Sequence, residues 1–348
     1  MKNISFIAFL FTLVSCAQTT FAANDNSTKY YAIFDCGSSG TRIYLYQNAH
    51  NEPKLIAEEK NNIQLDTHLD TPKITAKNNI RKLIAQIKPM LKQHNIDKKK
   101  LQIDILATAG MRYVPTEVQA QYYAQIKQNL LKSGYNVNHA RTISGNEEAI
   151  YSWISANHLN HILDSQDDTY GIIEVGGASA QIAFATSQES GDNIYKIKTN
   201  KQTYNLYNIS FLGLGKNRLY STLTQNNESG ICDAKQDSYA TCEQAINKII
   251  NTYPETSQIK NINGFNETKF YGIDNVYNFK GALADNFSSV NSCKTLNNKD
   301  CATNIYIRKL IDTVAPISLT PISKINGTTE TWTSGYVYSE INNITITQ

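Results

Sequence analysis

Residues 35–43 read Asp-Cys-Gly-Ser-Ser-Gly-Thr-Arg-Ile, and residues 174–182 read Glu-Val-Gly-Gly-Ala-Ser-Ala-Gln-Ile. In both stretches a carboxylate ends a β-like run, small residues follow, and a second strand-like run begins. Glycine allows positive φ and close approach by a ligand, while serine and threonine hydroxyls add to the backbone N–H donors. Either turn alone could be an ordinary Gly/Ser hairpin. Two copies in matching register, each beginning with an acid, predict a pair of phosphate-binding loops.

Composition limits the class of protein. The chain has 348 residues, of which 41% are hydrophobic and 18% charged. This length predicts a large core and about two domains. The net charge of +3 is too small to indicate binding to nucleic acid or to an anionic membrane. We therefore expect no nucleic-acid partner. Beyond the N-terminal run the sequence has no other long apolar segment, so no membrane span is expected, and a monomer is expected as well.

The N-terminus predicts export. Lys2 precedes an apolar run at residues 4–14 that is too short to span a bilayer. Residues 20–22, Thr-Phe-Ala, offer a cleavage site that would make residues 1–22 a signal peptide. Alternatively, residues 13–16 resemble a lipoprotein cleavage motif, with Cys16 as the lipidated residue. Both interpretations stay open, and both predict a secreted or periplasmic protein.

The other cysteines fit an oxidising compartment. Cys232 and Cys242 bracket one short polar loop, and Cys293 and Cys301 bracket another. These local pairs are the predicted disulfides, each worth about 2–4 kcal/mol through restriction of the unfolded chain. Cys36 is left over, and we interpret it as a small buried side chain and not as a nucleophile.

Hydrophobic periodicity predicts a helix near residues 75–94. A second helix is expected after Pro115, near residues 117–133, and a third near residues 146–157, with strands between them. The order β-β-α-β-α is the beginning of a mixed α/β sheet. Beyond residue 201 the chain is polar and is expected to be rich in loops. The tail at residues 330–338 is expected to be β-rich and to rejoin the first domain.

The residue types predict phosphate hydrolysis. Two facing loops would clamp a di- or triphosphate, and the strand-end acids Asp35 and Glu174 would hold Mg²⁺ or Ca²⁺ through waters. Glu148 follows a strand and a Ser-Gly turn, and with the Ser179 hydroxyl it fits general-base catalysis on water. A favourable interaction with the helix dipole is the structural alternative for Glu148. The sequence contains no Gly-x-x-x-x-Gly-Lys-Ser/Thr loop, which excludes a Walker-type enzyme.

Together these stretches resemble the ecto-nucleoside triphosphate diphosphohydrolases, or apyrases, of the actin/Hsp70-like superfamily. The resemblance covers about residues 30–340, with four strong blocks in the order of the family. The blocks are residues 35–42, 107–112, 144–148 with Tyr151 and Trp153, and 174–181, joined by a weaker block at 270–277 and a similar tail at 332–336.

The resemblance implies an α/β fold of two actin/RNase H-like lobes, with mixed sheets flanked by helices and the active site in the interdomain cleft. Lobe I would comprise residues 29–145 and 318–348, and lobe II residues 146–317. The implied activity removes terminal phosphates from nucleoside tri- and diphosphates, ending at the monophosphate. The implied cofactor is Ca²⁺ or Mg²⁺, with Mn²⁺ as a further candidate.

The resemblance also implies a role for each matched residue. Glu148 takes the place of the general base, with Ser179, Gln181 and Thr108 around the water and the metal. The acids holding metal-bound waters would be Asp35 and Glu174, assisted by Gln181. The implied phosphate-binding residues are Ser38, Ser39, Gly40, Thr41, Arg42, Gly176, Gly177 and Ala178. Tyr271 and Tyr277 are the implied candidates for stacking on the base.

This sequence departs from the family pattern at some positions. Glu174 stands where Asp is usual, Cys36 replaces a usual Ala, and the fifth block is degraded, so metal preference and base preference stay open. The resemblance implies a soluble exported member of bacterial type. The alternatives are an exopolyphosphatase or guanosine pentaphosphate phosphatase, which would normally lack the Trp153-containing block, and an inactive nucleotide-binding protein.

Overall fold

The computed structural model describes residues 28–225, 232 and 239–348. The predicted signal peptide and Cys16 lie outside these residues. The first sheet has the order β3-β2-β1-β4-β5, in which β1 pairs antiparallel with β2 and parallel with β4. The elements of this first part are β1 (Tyr30–Gly37), β2 (Gly40–Ala49), β3 (Glu52–Asn61), α1 (Pro72–Gln93), β4 (Leu101–Ala107), α2 (Thr116–Lys132), β5 (Asn136–Thr142) and α3 (Gly145–Leu159).

The second sheet has seven strands in the order β11-β10-β6-β7-β9-β8-β14, and β12 and β13 form a separate hairpin. The strands of this sheet are β6 (Gly171–Val175), β7 (Ser179–Ala185), β8 (Ile194–Lys198), β9 (Thr203–Leu212), β10 (Phe270–Asp274), β11 (Leu319–Pro321) and β14 (Thr345–Thr347). The hairpin consists of β12 (Lys324–Ile325) and β13 (Thr328–Thr329). The helices of this part are α4 (Lys216–Gln225), α5 (Tyr239–Ile250), α6 (Glu255–Gln258), α7 (Asn275–Asn278), α8 (Ser289–Cys293), α9 (Asn298–Val314) and α10 (Trp332–Asn342). The two-lobe α/β prediction is confirmed, whereas the segment after residue 201 holds several helices instead of mostly loops.

Alternate residues of the strands supply separate cores. Ala32 and Phe34 of β1 pack with α1 and α2, while Ile33 faces the other way into a central cluster. That central cluster contains α3 and α10 and residues from both sheets, such as Ile172 of β6. An outer cluster on the far face of the second sheet includes Ile173 and residues of α5 and α9. The helices α3 and α10 therefore lie between the two sheets.

The tail differs from its prediction. Residues 332–342 form a helix, in which the Thr331 hydroxyl caps the start by accepting from the Thr333 N–H. Residues 332–337 are all buried, because α10 is covered by α3 and by the first sheet. This first part of α10 has no exposed face and therefore shows no amphipathic period, so its β-branched and aromatic residues gave a strand pattern.

Two short strands of the tail join the second sheet. β11 pairs in parallel with β10, and β14 pairs antiparallel with β8, so both strands extend the second sheet at its edges. An open sheet edge offers unpaired backbone groups that a returning chain can satisfy. The assignment of residues 318–348 to lobe I stays a prediction, as do the remaining domain boundaries.

Both predicted disulfides are present. The S–S distances are 2.10 Å for Cys232–Cys242 and 2.11 Å for Cys293–Cys301. Cys36 is free and buried, and its burial raises the pKa of the thiol far above its usual value, which agrees with a packing role. No helix in the described parts of the chain is long and apolar enough to cross a membrane.

Candidate active site

The two glycine loops face one another across a cleft of about 640 Å³. The first loop joins β1 to β2 and the second joins β6 to β7, so each loop lies at the end of a strand that is central in its sheet. The predicted site residues that line the cleft are Asp35, Ser38, Ser39, Gly40, Arg42, Thr108, Glu148, Glu174, Gly176, Gly177, Ala178, Ser179 and Tyr277.

The loops approach closely enough to touch. The Asn217 Nδ2 group on α4 donates to the Ser39 hydroxyl at 2.8 Å. A Cβ atom at Gly177 would lie 2.5 Å from the Ser38 hydroxyl oxygen and 2.9 Å from that of Ser39. A side chain at position 177 would therefore force the Ser38 and Ser39 hydroxyls of the opposite loop to move, a contact that the sequence could not show.

Glu148 is placed in the cleft by the first turn of α3. Ser144 and Glu147 form a capping box, in which the Ser144 hydroxyl accepts from the Glu147 N–H and Glu147 accepts from the Ser144 N–H. The capping interaction explains Glu147 as a structural acid. Glu148 takes no part in it, and its side chain lines the cleft with only 7% of the residue exposed.

Two donors fix one oxygen of Glu148. Oε2 accepts from Arg112 Nη2 at 2.5 Å and from Gln181 Nε2 at 3.2 Å. Arg112 is anchored in turn, because its Nε donates to the Ile143 carbonyl at 2.9 Å and its Nη1 lies 3.4 Å from the Ser179 hydroxyl. No hydrogen bond from the described residues engages Oε1 of Glu148, which leaves that oxygen able to accept from a water in the cleft.

Gln181 supports the site from behind. It is fully buried and does not line the cleft, but its Nε2 also lies 2.5 Å from the Ser179 hydroxyl. Its Oε1 is buried without a hydrogen-bond partner among the described residues. Gln181 thus joins the side chains of Glu148 and Ser179, which the sequence places 31 residues apart.

The two strand-end acids share the cleft. Burial raises the pKa of Asp35 to about 7, against the opposing charge of Arg42, whose Nη1 lies 4.0 Å away. Burial also raises the pKa of Glu174 well above its usual value, and the Ser152 hydroxyl donates to Glu174 Oε2 at 2.7 Å. A cation in the cleft would offset the unfavourable burial of these charges.

The donors fit a hydrated divalent ion. Within the described parts of the chain, no three Asp, Glu, His or Cys side chains converge closely enough to hold a metal directly. The cleft nevertheless offers carboxylate and hydroxyl oxygens, the ligand type that Mg²⁺ and Ca²⁺ prefer. An ion at this site would therefore keep waters between itself and the acids.

The structure does not bring every predicted residue to the cleft. Thr41 is buried and its hydroxyl donates to the Ile63 carbonyl at 2.7 Å. The Tyr271 ring stacks on Tyr170, with centroids 4.3 Å apart. Tyr271 lies three residues before the end of β10, roughly 10 Å from the edge that faces the cleft. Tyr277 does line the cleft, and Lys280 Nζ lies 4.1 Å from its ring centroid.

Other residues of the cleft were missed by sequence reasoning. They are Lys216, Asp274, Glu330 and Trp332. Arg112, which donates to Glu148 without lining the cleft, was missed as well. Asp274 is the last residue of β10, and Asp35 and Glu174 lie near the ends of β1 and β6. A search for acids at the ends of strands would therefore have found Asp274 as well. Nothing in the local sequence indicates Glu330 or Lys216, because the folded chain brings them in from the tail and from α4.

Comparisons with known proteins show the family of this chain. The model of the GDA1/CD39 (nucleoside phosphatase) family matches residues 21–312. Probable apyrase 5 of Arabidopsis thaliana is 30% identical over 243 residues, covering 66% of this chain and 49% of that protein. Nucleoside-triphosphatase ntp-1 of Caenorhabditis elegans is 35% identical over 225 residues, covering 55% of this chain and 39% of that protein. The chain thus spans half or less of these relatives, and because both are eukaryotic, the bacterial source stays a prediction.

Solved structures share the fold. A nucleoside triphosphate hydrolase from Neospora caninum has a TM-score of 0.63 at 12% identity, covering 90% of this chain and 92% of that one. A Ppx/GppA family member from Aquifex aeolicus has a TM-score of 0.57 at 13% identity, covering 90% of this chain and 98% of that one. At these identities the likeness shows the two-lobe, actin-like fold alone.

Proposed function

The chain belongs to the GDA1/CD39 nucleoside phosphatase family, and from that membership we propose that it hydrolyses terminal phosphates of nucleoside tri- and diphosphates, ending at the monophosphate. The observation that supports this proposal is the arrangement of Glu148 between the two glycine loops. Arg112 and Gln181 hold Oε2 of its carboxylate, and Oε1 is left for a water. Such an arrangement suits a general base acting beside a bound phosphate chain.

The proposed reaction is in-line attack of water on the terminal phosphorus. The loops around Ser38 and Gly177 hold the phosphate chain, and the Ser179 hydroxyl orients the water. Glu148 Oε1 accepts the proton as the new O–P bond forms, and the bridging P–O bond breaks to release the shortened nucleotide. A divalent cation, held through waters by Asp35 and Glu174 with Thr108 nearby, would offset charge on the phosphoryl oxygens.

We also propose that the protein acts outside the cytoplasm. Two disulfides lie within the described residues, and disulfides persist mainly in oxidising compartments. The expected N-terminal signal peptide agrees with this location. The monomeric state and the choice between Ca²⁺, Mg²⁺ and Mn²⁺ stay predictions.

Glu148→Gln tests the proposed base. Phosphate release is measured from ATP, ADP, AMP and polyphosphate, with Ca²⁺ or Mg²⁺ and with EDTA. We expect the wild type to act on ATP and ADP, not on AMP, and only with metal. The variant should lose about 10²–10⁴-fold in kcat and still bind nucleotide, since the glycine loops are intact.

The exposed Glu117 on α2 provides the control, and Glu117→Gln should behave as the wild type. Full turnover by Glu148→Gln would contradict the assigned base. Release from polyphosphate in preference to nucleotides would instead favour the exopolyphosphatase alternative. Full activity in EDTA would remove the roles given to Asp35 and Glu174.

A further inference from the structure

The outer face of the first sheet is covered by a helix with a high positive charge, which the proposed reaction does not use. Residues 72–100, which form α1 and the turn after it, contain nine of the 33 Lys and Arg residues of the chain and one of its 30 Asp and Glu residues. The acids that bring the net charge down to +3 therefore lie elsewhere in the chain. For this reason the net charge alone did not indicate an anionic partner.

Five of these basic residues lie along one side of α1 and form what we call the basic stripe. Their spacings of four and seven residues bring them to the same side of a helix. From the first to the last of them the helix is about 28 Å long, at a rise of about 1.5 Å per residue. All of them are exposed, because the opposite side of α1 packs on the first sheet. The basic stripe consists of Lys73, Lys77, Arg81, Lys88 and Lys92.

The basic stripe is unfavourable for the helix that carries it. Three pairs of successive stripe residues are four positions apart, and like charges at this interval destabilise a helix. The helix contains no acid that could offset them. Lys73 also lies in the first turn, where the helix dipole disfavours a positive charge. No ion pair among the described residues includes a residue of the stripe, so the fold itself does not compensate this arrangement of charge.

A large apolar side chain is exposed on the same side of α1. Ile74 is 61% exposed, and it lies three residues before Lys77 and seven before Arg81, which are helical spacings. Binding of a helix to an anionic lipid surface strengthens with its basic residues and with the apolar area that it buries. A nucleic-acid backbone would also attract the charges, but it offers no apolar surroundings to Ile74. The combination therefore favours a lipid surface as the partner.

We propose that the basic stripe and Ile74 bind the protein to the surface of an anionic lipid bilayer. The helix α1 would lie flat on the phosphate-bearing headgroups, with the five cations facing them and Ile74 at the boundary of the acyl chains. No residue of the stripe lines the cleft, so the bound protein keeps its cleft open to nucleotides from solution. This inference goes beyond the proposed hydrolysis and does not depend on it.

The competing explanation is that the basic stripe is a solvated surface that only keeps the protein soluble. The two explanations differ in what they predict for vesicles of different charge. A solvated surface gives no binding that depends on these particular residues. In a lipid-binding surface, each basic residue near the anionic headgroups contributes about fivefold to the affinity, so the loss of three of them should lower it about 100-fold.

The experiment measures sedimentation of the full chain with vesicles of phosphatidylcholine, either alone or mixed equally with phosphatidylglycerol. We expect the wild type to bind the mixed vesicles and not phosphatidylcholine alone, and to be released at high salt. The variant that combines Lys77→Gln, Arg81→Gln and Lys88→Gln should bind the mixed vesicles about 100-fold more weakly. Its hydrolysis of ATP in solution should equal that of the wild type, because the cleft is unchanged.

The matched control removes the same number of charges from exposed positions outside α1. It combines Lys248→Gln, Lys260→Gln and Lys269→Gln. This control should bind the mixed vesicles as the wild type does, because attraction to the headgroups falls off within about 10 Å of the lipid surface.

Absence of binding by the wild type to the mixed vesicles, or an equal loss in the two triple variants, would overturn this inference. Tighter binding to double-stranded DNA than to the mixed vesicles would overturn it as well, since the partner would then be a nucleic acid. The stripe variant should unfold in urea no earlier than the wild type, because it loses pairs of like charges. If it unfolds earlier, Lys88→Gln alone replaces it, with an expected loss of about fivefold in affinity, and a wild-type affinity would reject the proposal.

Discussion

At the scale of single residues, Arg112 decides how the proposed base is presented. Its guanidinium contacts the Ile143 carbonyl, the Glu148 carboxylate and the Ser179 hydroxyl. The planar fork of arginine can hold several acceptors in a fixed geometry, which the flexible ammonium of lysine cannot. Arg112 is therefore a positioning residue for both Glu148 and Ser179.

Arg112→Lys should lower kcat about 10- to 100-fold and change KM little, because misplacing a reacting group by about 1 Å can reduce the rate by about 10². Steady-state kinetics with ATP provide the measurement. Arg81→Lys, at an exposed position on α1, is the control and should leave both constants unchanged. A wild-type kcat in Arg112→Lys would show that the fork is not needed.

The stability of the fold depends on pH through His158. Burial lowers the pKa of His158 to about 4, and His161 adds to the effect. Above that pH the contact of Nε2 with Glu52 Oε2 at 3.0 Å is a hydrogen bond from a neutral imidazole. In the unfolded chain His158 takes up a proton near pH 6.5, whereas in the folded chain it stays neutral until about pH 4. The contribution of neutral His158 to the free energy of unfolding is therefore fully present above about pH 6.5 and is lost as the pH falls towards 4.

We expect protonation of His158 to lower the free energy of unfolding by up to about 3 kcal/mol as the pH falls from 6.5 to 4. The test compares denaturant unfolding of the wild type and of His158→Gln across that range. The variant should show a smaller loss of stability on acidification, whatever its stability at neutral pH. His50→Gln, at the exposed turn between β2 and β3, should keep the wild-type slope, and equal slopes for all three proteins would contradict the assignment.

At the scale of elements, α10 and α3 pack backbone against backbone at Gly335. A Cβ atom at Gly335 would lie 2.0 Å from the Tyr151 carbonyl oxygen and 2.8 Å from the Ser155 backbone nitrogen. These atoms belong to the α3 backbone and cannot rotate away. The ring of Tyr336 packs edge-on against Tyr151, with centroids 5.3 Å apart, at the same interface.

Gly335→Ala should therefore lower the free energy of unfolding by about 3 kcal/mol, since overpacking against rigid neighbours forces the helices apart. Gly281→Ala is a matched control, because no heavy atom lies within 4 Å of the Cβ it would add. Urea denaturation of both variants measures the difference. Equal free energies of unfolding for the two variants would show that α10 can move away from α3 without loss of stability.

At the scale of the whole molecule, the central cluster joins the two lobes. Trp153 of α3 contacts Tyr204 of the second sheet, with centroids 5.2 Å apart. Tyr46 of the first sheet shares a hydrogen bond of 2.8 Å with Thr333 of α10. Because α3 and α10 bury side chains against both sheets, unfolding one lobe would expose the core face of the other.

Differential scanning calorimetry of the metal-free chain should accordingly show a single transition. The calorimetric enthalpy should match the van't Hoff enthalpy, as expected when a molecule unfolds as one cooperative unit. Gly335→Ala should lower the midpoint and keep one transition if its effect is on packing alone. Two separated transitions in the wild type would contradict a shared core.

The sequence by itself determined the features that depend on local chemistry. The two glycine loops, the strand-end acids Asp35 and Glu174 and the disulfide pairs could be predicted because each is encoded by neighbouring residues. The capped start of α3, which presents Glu148, is local in the same way. Periodicity also predicted α1, which keeps one exposed face.

Only the tertiary structure decided which distant groups meet. Arg112 reaches Glu148, Gly177 meets the opposite loop, and Glu330 enters the cleft from the tail, although no local pattern marks these contacts. Periodicity failed for α10 because residues 332–337 are buried on all sides, which removes the difference between helix faces there. Tyr271 does not line the cleft for a related reason. The distance of a residue from the end of β10 decides whether its side chain reaches the cleft, and the end of the strand is set by the folded sheet.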